Sequence, residues 1–254
     1  MSNIAETQEQ APRSGWRRAD FGLLEALAVL VARDNIVSWA KVVAIAAGIT
    51  LPALPLFKQN YLLFAVVVLV LLWVKLRGET WASFGLIRPQ SWMRTLGLGV
   101  LLFAVTLLYS VLAAPAVDNA VAAFTGATRG QVAAYFAEMK GNLSLLLLLL
   151  PFTWLFAAFG EEVFYRGYLM TRFAQFMGET RIAWAVALVT QAVIFGFAHS
   201  YQGPVGMVGT AILGLINGAA TLLWRRNLWP AMIAHGLADT LGFTLLYLGQ
   251  YGVD

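Results

Sequence analysis

Residues 143–166 read LSLLLLLLPFTWLFAAFGEEVFYR, a long apolar run that ends in two carboxylates and an arginine. An apolar segment of this length is typical of a helix that crosses a lipid bilayer. Ionisable groups inside a bilayer are costly, so they usually face a protein interior or a water-filled cavity. We therefore expect Glu161, Glu162 and Arg166 to mark the site around which the chain folds.

The spacing of these charges predicts different roles for the two glutamates. On an α-helix Glu162 and Arg166 are i,i+4 neighbours with the glutamate first, which is the favoured order for an ion pair. Glu161 points about 100° away from Glu162 around the helix axis. Glu162 is therefore expected to neutralise Arg166, while Glu161 lies outside that pair as a candidate general base. The alternative is a helix end that carries interfacial charges.

The composition indicates an all-α, polytopic membrane bundle. Of the 254 residues 60% are hydrophobic and 12% are charged, whereas soluble domains carry about 25% charged residues. Runs such as Leu145–Leu150 do not alternate in hydrophobicity as membrane β-strands do. The absence of cysteine excludes disulfides, thiolate nucleophiles and cysteine metal sites. The net charge of +4 does not indicate nucleic-acid binding, because the basic residues cluster between the apolar segments.

Hydropathy predicts seven transmembrane helices and one interfacial helix, Phe21–Arg33. The longest loop, 117–142, is expected to hold an amphipathic helix near Gln131–Met139. The predicted spans are 39–57, 61–76, 95–116, a fourth from Leu143 past Pro151 to about Phe176, then 181–199, 205–224 and 230–248. We divide the chain into a disordered tail (1–20), an N-terminal membrane region (21–142) and a catalytic four-helix membrane core (143–250).

Basic residues predict the orientation of this bundle. With a cytoplasmic N-terminus, fourteen of the seventeen Lys and Arg residues fall on the cytoplasmic side, which is the bias that the positive-inside rule requires. The three others are Lys58, Arg129 and Lys140. We expect a multi-pass protein of the cell's inner or plasma membrane with its N-terminus in the cytoplasm. The bias around the fourth and fifth helices favours a site that opens to the cytoplasm.

Both histidines of the chain lie in apolar segments. His199 ends the sequence FGFAH, and His235 opens HGLAD, which places His235 and Asp239 on one helix face. A single membrane histidine more often forms a hydrogen bond between helices. Two histidines, one aspartate and the glutamate pair, with almost nothing else ionisable in the core, predict one shared polar site.

Helix geometry supports part of this convergence. A turn near 178–180 places Glu161 and His199 at similar depth in an antiparallel pair, because each residue rises about 1.5 Å. His235 follows the turn near Asn227 by about eight residues, so straight helices would separate it from His199 by much of the membrane. Convergence requires tilt, a kink or a re-entrant turn, and Gly203-Pro204 is the candidate position.

These residues resemble the CAAX protease and bacteriocin-processing family, also called the ABI family of intramembrane glutamate proteases. That family shows E-E-x-x-x-R, then F-x-x-x-H, then H-x-x-x-N or a similar polar residue, each on a membrane helix. The matching residues are Glu161, Glu162 and Arg166, then Phe195 and His199, then His235 and Asp239. The resemblance covers residues 143–245, and three motifs in this order are specific although each alone is weak.

The resemblance implies a mechanism without a cofactor or metal. Glu161 would activate a water for attack on a peptide carbonyl, with His199 holding or sharing that water. His235 and residue 239 would stabilise the tetrahedral oxyanion. The remaining motif residues, Glu162, Arg166 and Phe195, would support the site structurally. An acid–base pair can activate water by itself.

Position 239 departs from the family pattern, because it is Asp where the family often has Asn. An ionised aspartate cannot donate a hydrogen bond and would repel an oxyanion. Either Asp239 stays protonated, or it orients His235, or the chain is catalytically weak. A zinc site is a further alternative, since glutamate, aspartate and histidine are all credible ligands.

The leading hypothesis is an intramembrane endopeptidase that acts on a peptide or protein, lipidated or not, presented at the bilayer among membrane lipids. One alternative is a non-enzymatic membrane binding or immunity protein. The other is a proton-coupled transporter, in which membrane Glu, His and Asp would form a relay. Asn217, on the sixth span, is expected to serve helix packing rather than the site.

Overall fold

The computed structural model describes residues 67–127 and 136–250, and this part of the chain is helical without strands. The predicted tail, the interfacial helix and the span 39–57 lie outside the described residues. Within the described ranges seven helices are seen: α1 Val67–Leu76, α2 Trp92–Leu112, α3 Ala114–Thr125, α4 Leu143–Phe176, α5 Arg181–Ala198, α6 Gly203–Leu223 and α7 Trp229–Tyr247. Short 3₁₀ turns occupy Trp81–Phe84, Ala137–Met139 and Ser200–Gln202.

Four helical segments within the described residues are long and apolar enough to cross a membrane: Trp92–Leu112, Leu143–Phe176, Arg181–Ala198 and Ser200–Leu223. This confirms the predicted all-α, polytopic membrane bundle. Helix α1 is shorter, and α7 is not among the four because polar residues such as His235 and Asp239 lower its mean hydropathy.

The prediction of a loop from residue 117 is wrong for its first part. After α2 ends at Leu112, the chain turns at Ala113 and continues as α3 to Thr125. Pro115 stands in the first turn of α3, where its fixed φ favours a helix start and its missing N–H is not needed. Of the predicted amphipathic helix, residues 131–135 lie outside the described residues, and the rest contains only a 3₁₀ turn.

Helix α4 runs unbroken from Leu143 to Phe176, as the sequence predicts. The side chain of Asn142 caps it by accepting a hydrogen bond from the Leu145 N–H at 3.0 Å. Its middle section, Thr153–Leu169, is a π-helix rather than the expected α-helix, and it begins two residues after Pro151. Proline lacks an N–H and crowds the preceding turn, which loosens the α-helical ladder. Such π-segments are rare and occur often at functional sites.

One end of the bundle is tied together by the loop that follows α1. The Leu228 N–H donates to the Gly85 carbonyl at 3.1 Å, and Arg172 donates to both carboxylate oxygens of Glu79 at 2.9 and 3.1 Å. The loop therefore lies against the end of α4 and the start of α7. We call this the basic end, and it consists of loop 77–91 and the turns 177–180 and 224–228.

The opposite end consists of residues 136–142, 199–202 and 248–250. The Gly141 N–H donates to the Tyr247 carbonyl at 2.9 Å, which joins the start of α4 to the last turn of α7. Helices α2 and α7 run in the same direction from the basic end, since the rings of Trp92 and Trp229 lie 5.2 Å apart.

Gly167 allows loop 77–91 to pack directly on α4. A Cβ at this position would lie 2.6 Å from the Phe84 carbonyl oxygen and 3.0 Å from Cδ1 of Leu228. Phe84 and Leu228 are buried in one apolar cluster with Tyr168 and Leu169 of α4. The basic end is therefore closed by close packing one residue beyond Arg166.

The substitution Gly167→Ala is expected to destabilise the protein by about 1–3 kcal/mol, because a backbone oxygen cannot move aside for the new methyl group. The matched control is Gly97→Ala on α2, where a Cβ meets nothing within 4 Å. That variant should keep or slightly raise stability, since alanine favours a helix over glycine. Thermal unfolding in detergent measures both, and equal effects of the two substitutions would contradict the packing.

Candidate active site

Glu162 is the most deeply buried ionisable group of the site, with 0% exposure. One oxygen, Oε1, lies 3.3 Å from a guanidinium nitrogen of Arg166 and 2.9 Å from Nδ1 of His235. The same oxygen accepts a hydrogen bond from Nδ2 of Asn217 at 3.3 Å. Glu162 thus forms the predicted pair with Arg166 and also joins α4 to α6 and α7.

Arg166 connects this carboxylate to the Phe195–His199 motif. Its guanidinium carbon lies 4.0 Å from the centre of the Phe195 ring, a cation–π distance. The Phe195 ring also meets the His199 ring edge-on, with centres 4.6 Å apart. Phe195 is buried, so its ring fixes the end of α5 against α4.

Glu161 lies between the two imidazoles. Its Oε1 is 4.0 Å from Nε2 of His199, and its Oε2 is 3.9 Å from Nε2 of His235. The sequence placed Glu161 outside the Glu162–Arg166 pair and in one polar site with the two histidines, and the structure has this arrangement. Two polar groups about 4 Å apart can be bridged by one water molecule, so the spacing suits a carboxylate that shares water with each imidazole.

The hydrogen bond of His199 defines the role of its free nitrogen. Nδ1 lies 2.8 Å from the Phe195 carbonyl oxygen. A carbonyl only accepts, so Nδ1 carries the proton and Nε2 of the neutral ring is an acceptor. His199 therefore directs an acceptor toward Glu161, where it can receive a hydrogen from a shared water.

His235 is surrounded by carboxylates on three sides. Nδ1 meets Glu162, while Nε2 lies 3.9 Å from Glu161 and 3.5 Å from Oδ2 of Asp239. His235 and Asp239 share one face of α7, as their spacing predicts. An imidazolium suits this arrangement, since only the charged ring donates from both nitrogens.

The structure brings the two imidazoles together in spite of the difference in depth that straight helices predict. Both imidazoles lie within 4.0 Å of Glu161 although they come from opposite ends of their helices. Helix α5 has 18 residues, which is about 27 Å and shorter than a bilayer core of roughly 30 Å. The irregular turn at Ser200–Gln202, followed by Gly203 with φ of 75°, then reverses the chain close to the site.

A cavity of about 420 Å³ contains the site. Its lining includes Glu161, Arg166, His199, His235 and Asp239. The five helices α2, α4, α5, α6 and α7 all contribute to its wall. The predicted convergence of separate helices on one polar pocket is thus present in the structure.

Asn217 belongs to the site, although the sequence favoured a packing role for it. It is 5% exposed, lines the cavity and donates to Glu162. Asn217 lies one turn after Leu213 on α6, in a stretch that otherwise consists of small and apolar residues. This position is the sequence signal that could have located it. A lone amide on such a helix face is expected to meet a polar partner.

Residues 142–241 match the family model for type II CAAX prenyl endopeptidases of the Rce1-like kind. Over this segment, less than half of the chain, the sequence is similar to the CAAX protease family. No curated protein and no solved structure matches the chain. The matched segment contains all three motifs, from Glu161 to Asp239, and confirms the resemblance drawn from their order and spacing.

The zinc alternative receives no support from the geometry of this site. Among the described residues no group of three or more His, Asp or Glu side chains is arranged to hold a metal ion. A chelator remains the direct test of this alternative.

Glu162→Gln is expected to lower stability by about 3–5 kcal/mol, because the buried charge of Arg166 would lose its partner. The double variant Glu162→Gln/Arg166→Met should recover part of that loss, since it removes both charges. Glu179→Gln, at an exposed turn, is the matched control. Denaturation in detergent compares the three variants with the unchanged protein, and a Glu162→Gln protein as stable as Glu179→Gln would contradict the role of the pair.

Proposed function

We propose that the protein is an intramembrane endopeptidase in which Glu161 activates a water for attack on a peptide carbonyl. The match to the family model for type II CAAX prenyl endopeptidases supports an endopeptidase that acts on a protein or peptide at a membrane. The observation that carries the proposal is a buried carboxylate with two imidazoles at 3.9 and 4.0 Å in one cavity.

The first step uses Glu161 and His199 as acceptors. A water that bridges Oε1 of Glu161 and Nε2 of His199 has both hydrogens held, so its lone pair is free to attack. Glu161 takes one proton as the C–O bond forms and the carbonyl oxygen becomes an oxyanion. The same proton then passes to the leaving amine as the C–N bond breaks, which completes hydrolysis.

The second group, His235 with Asp239, faces the developing oxyanion. The N–H at Nε2 of His235 supplies the positive donor, and Asp239 at 3.5 Å orients that ring. Among the roles left open for Asp239, this geometry favours orientation. Glu162 fixes the other ring nitrogen, so the imidazole is held at both ends before substrate binds.

Glu161→Gln is expected to reduce the rate of peptide cleavage about 10²–10⁴-fold, because an amide cannot accept the proton from water. The variant should fold, since the Glu162 interactions remain. Purified protein in lipid, tested against a peptide library with Glu179→Gln as control, measures the effect. Cleavage should continue in the presence of a chelator.

The alternatives predict other results in the same assay. A binding or immunity protein would retain partner binding after the Glu161→Gln substitution and would cleave nothing in any form. A proton-coupled transporter would show uptake into vesicles that follows a proton gradient. If a chelator abolished cleavage, the result would favour a zinc-dependent mechanism instead.

Asp239→Asn is expected to retain cleavage, because asparagine can still accept from His235 and its amide adds an oxyanion donor. Asp239→Ala should reduce kcat with less effect on KM, since it loosens His235 without removing substrate contacts. Steady-state kinetics of both variants tests this. A loss with Asp239→Asn as large as that with Glu161→Gln would show that Asp239 itself takes a proton.

A further inference from the structure

Two glycines of α6 fix how this helix lies against α5. A Cβ at Gly214 would lie 3.3 Å from the Cα of Ala192, and a Cβ at Gly218 would lie 2.5 Å from Cδ1 of Leu188. A step of four residues forward along α6 thus matches a step of four residues back along α5. The two helices are therefore an antiparallel pair in close contact, and their register can be followed to the basic end.

The same register brings two arginines to one level at the basic end. Its next step pairs Trp184 with Leu222, and both side chains pack against one buried apolar cluster. Three residues further, Arg181 is the first residue of α5, and Arg225 follows the end of α6 by two residues. Both arginines are exposed. The seam between α5 and α6 is therefore flanked at this end by two guanidinium groups.

Arg226 adds a third positive charge beside the same tryptophan. Its guanidinium carbon lies 5.0 Å from the centre of the Trp184 ring, and its Nη1 donates to the Ser83 carbonyl at 3.3 Å. The backbone of Arg225 and Arg226 has φ values of 55° and 63°, which residues other than glycine rarely adopt. Such a turn persists where the surrounding structure fixes it. We call Arg181, Arg225 and Arg226 the arginine cluster.

The arginine cluster carries an excess of positive charge. None of its three side chains forms an ion pair with a carboxylate of the described residues. Glu79 is paired with Arg172 of α4 at 2.9 Å, which leaves Glu179, two residues before α5, as the other carboxylate among the described residues of the basic end. Three guanidinium groups near one exposed carboxylate favour an anionic ligand, and their planar shape matches the oxygens of a phosphate.

The outer face of α5 next to the arginine cluster is apolar. Ile182, Val186, Val189 and Val193 recur every three or four residues and are 44–77% exposed. Because α5 is long and apolar enough to cross a membrane, this face suits contact with lipid acyl chains. Trp184 lies half-buried near the start of the helix, and tryptophan is enriched at the level of lipid headgroups.

We propose that the arginine cluster binds the phosphate of an anionic phospholipid whose acyl chains lie along the outer face of α5. Arginines clustered beside a membrane span attract anionic lipids, and guanidinium groups bind phosphate oxygens through paired hydrogen bonds. A headgroup held here would connect the start of α5, the turn after α6 and, through Arg226 and Ser83, the loop 77–91. None of the three arginines lines the active-site cavity, so this lipid site is separate from the proposed catalytic function.

Removal of two exposed charges tests the site. Arg181→Gln/Arg225→Gln removes two guanidinium groups and leaves the contacts of Arg226 in place. The control, Arg88→Gln/Arg94→Gln, removes the same charge from exposed positions in the loop 77–91 and the first turn of α2. Native mass spectrometry of the full-length protein in detergent gives the Kd of phosphatidylglycerol for each form. The Kd is expected to rise about tenfold or more in the first double variant and less than about twofold in the control.

Two further ligands separate the phospholipid from other sources of phosphate. Phosphatidylcholine has the same phosphate and acyl chains but no net charge, so it should bind the unchanged protein more weakly. Inorganic phosphate at the same concentration should not displace phosphatidylglycerol, because it has no acyl chains to contact α5. Equal phosphatidylglycerol affinity in the two double variants would overturn the proposal, and so would equal affinity for the two lipids or displacement by inorganic phosphate. None of these measurements depends on peptide cleavage.

Discussion

The structure depends on how one buried carboxylate is neutralised. Glu162 has 0% exposure, and it is held by Arg166 of its own helix, by Asn217 of α6 and by His235 of α7. A buried charge is tolerated only when paired and hydrogen-bonded, so these three helices are fixed relative to one another. The stacking of Arg166 on Phe195 extends the constraint to α5. Four helices therefore meet at defined positions because of one interaction network.

The reactive part of the site is a consequence of this network. With His235 anchored through Nδ1 and His199 anchored to the Phe195 carbonyl, both rings direct Nε2 toward Glu161. The two glutamates are adjacent in sequence but differ in function, since one is sealed in the interior while the other reaches the cavity. The π-helical section of α4 presents both to the interior of the bundle.

The sequence predicted the parts of the site that depend on local spacing. The Glu162–Arg166 pair, the His235–Asp239 face and the unbroken helix past Pro151 all follow from helical periodicity and apolar length. Features that arise from tertiary packing were not visible, because a single sequence does not show which helices touch. These include the helix Ala114–Thr125 and the place of Asn217 in the site.

The most direct measurement is an experimental structure of the protein in a lipid bilayer, at a resolution that shows ordered water. The account predicts that the Glu161 carboxylate lies close to the 4.0 and 3.9 Å separations from the two imidazoles found here, with water bridging carboxylate and ring. A dry site, or imidazoles turned away from Glu161 toward lipid, would contradict it.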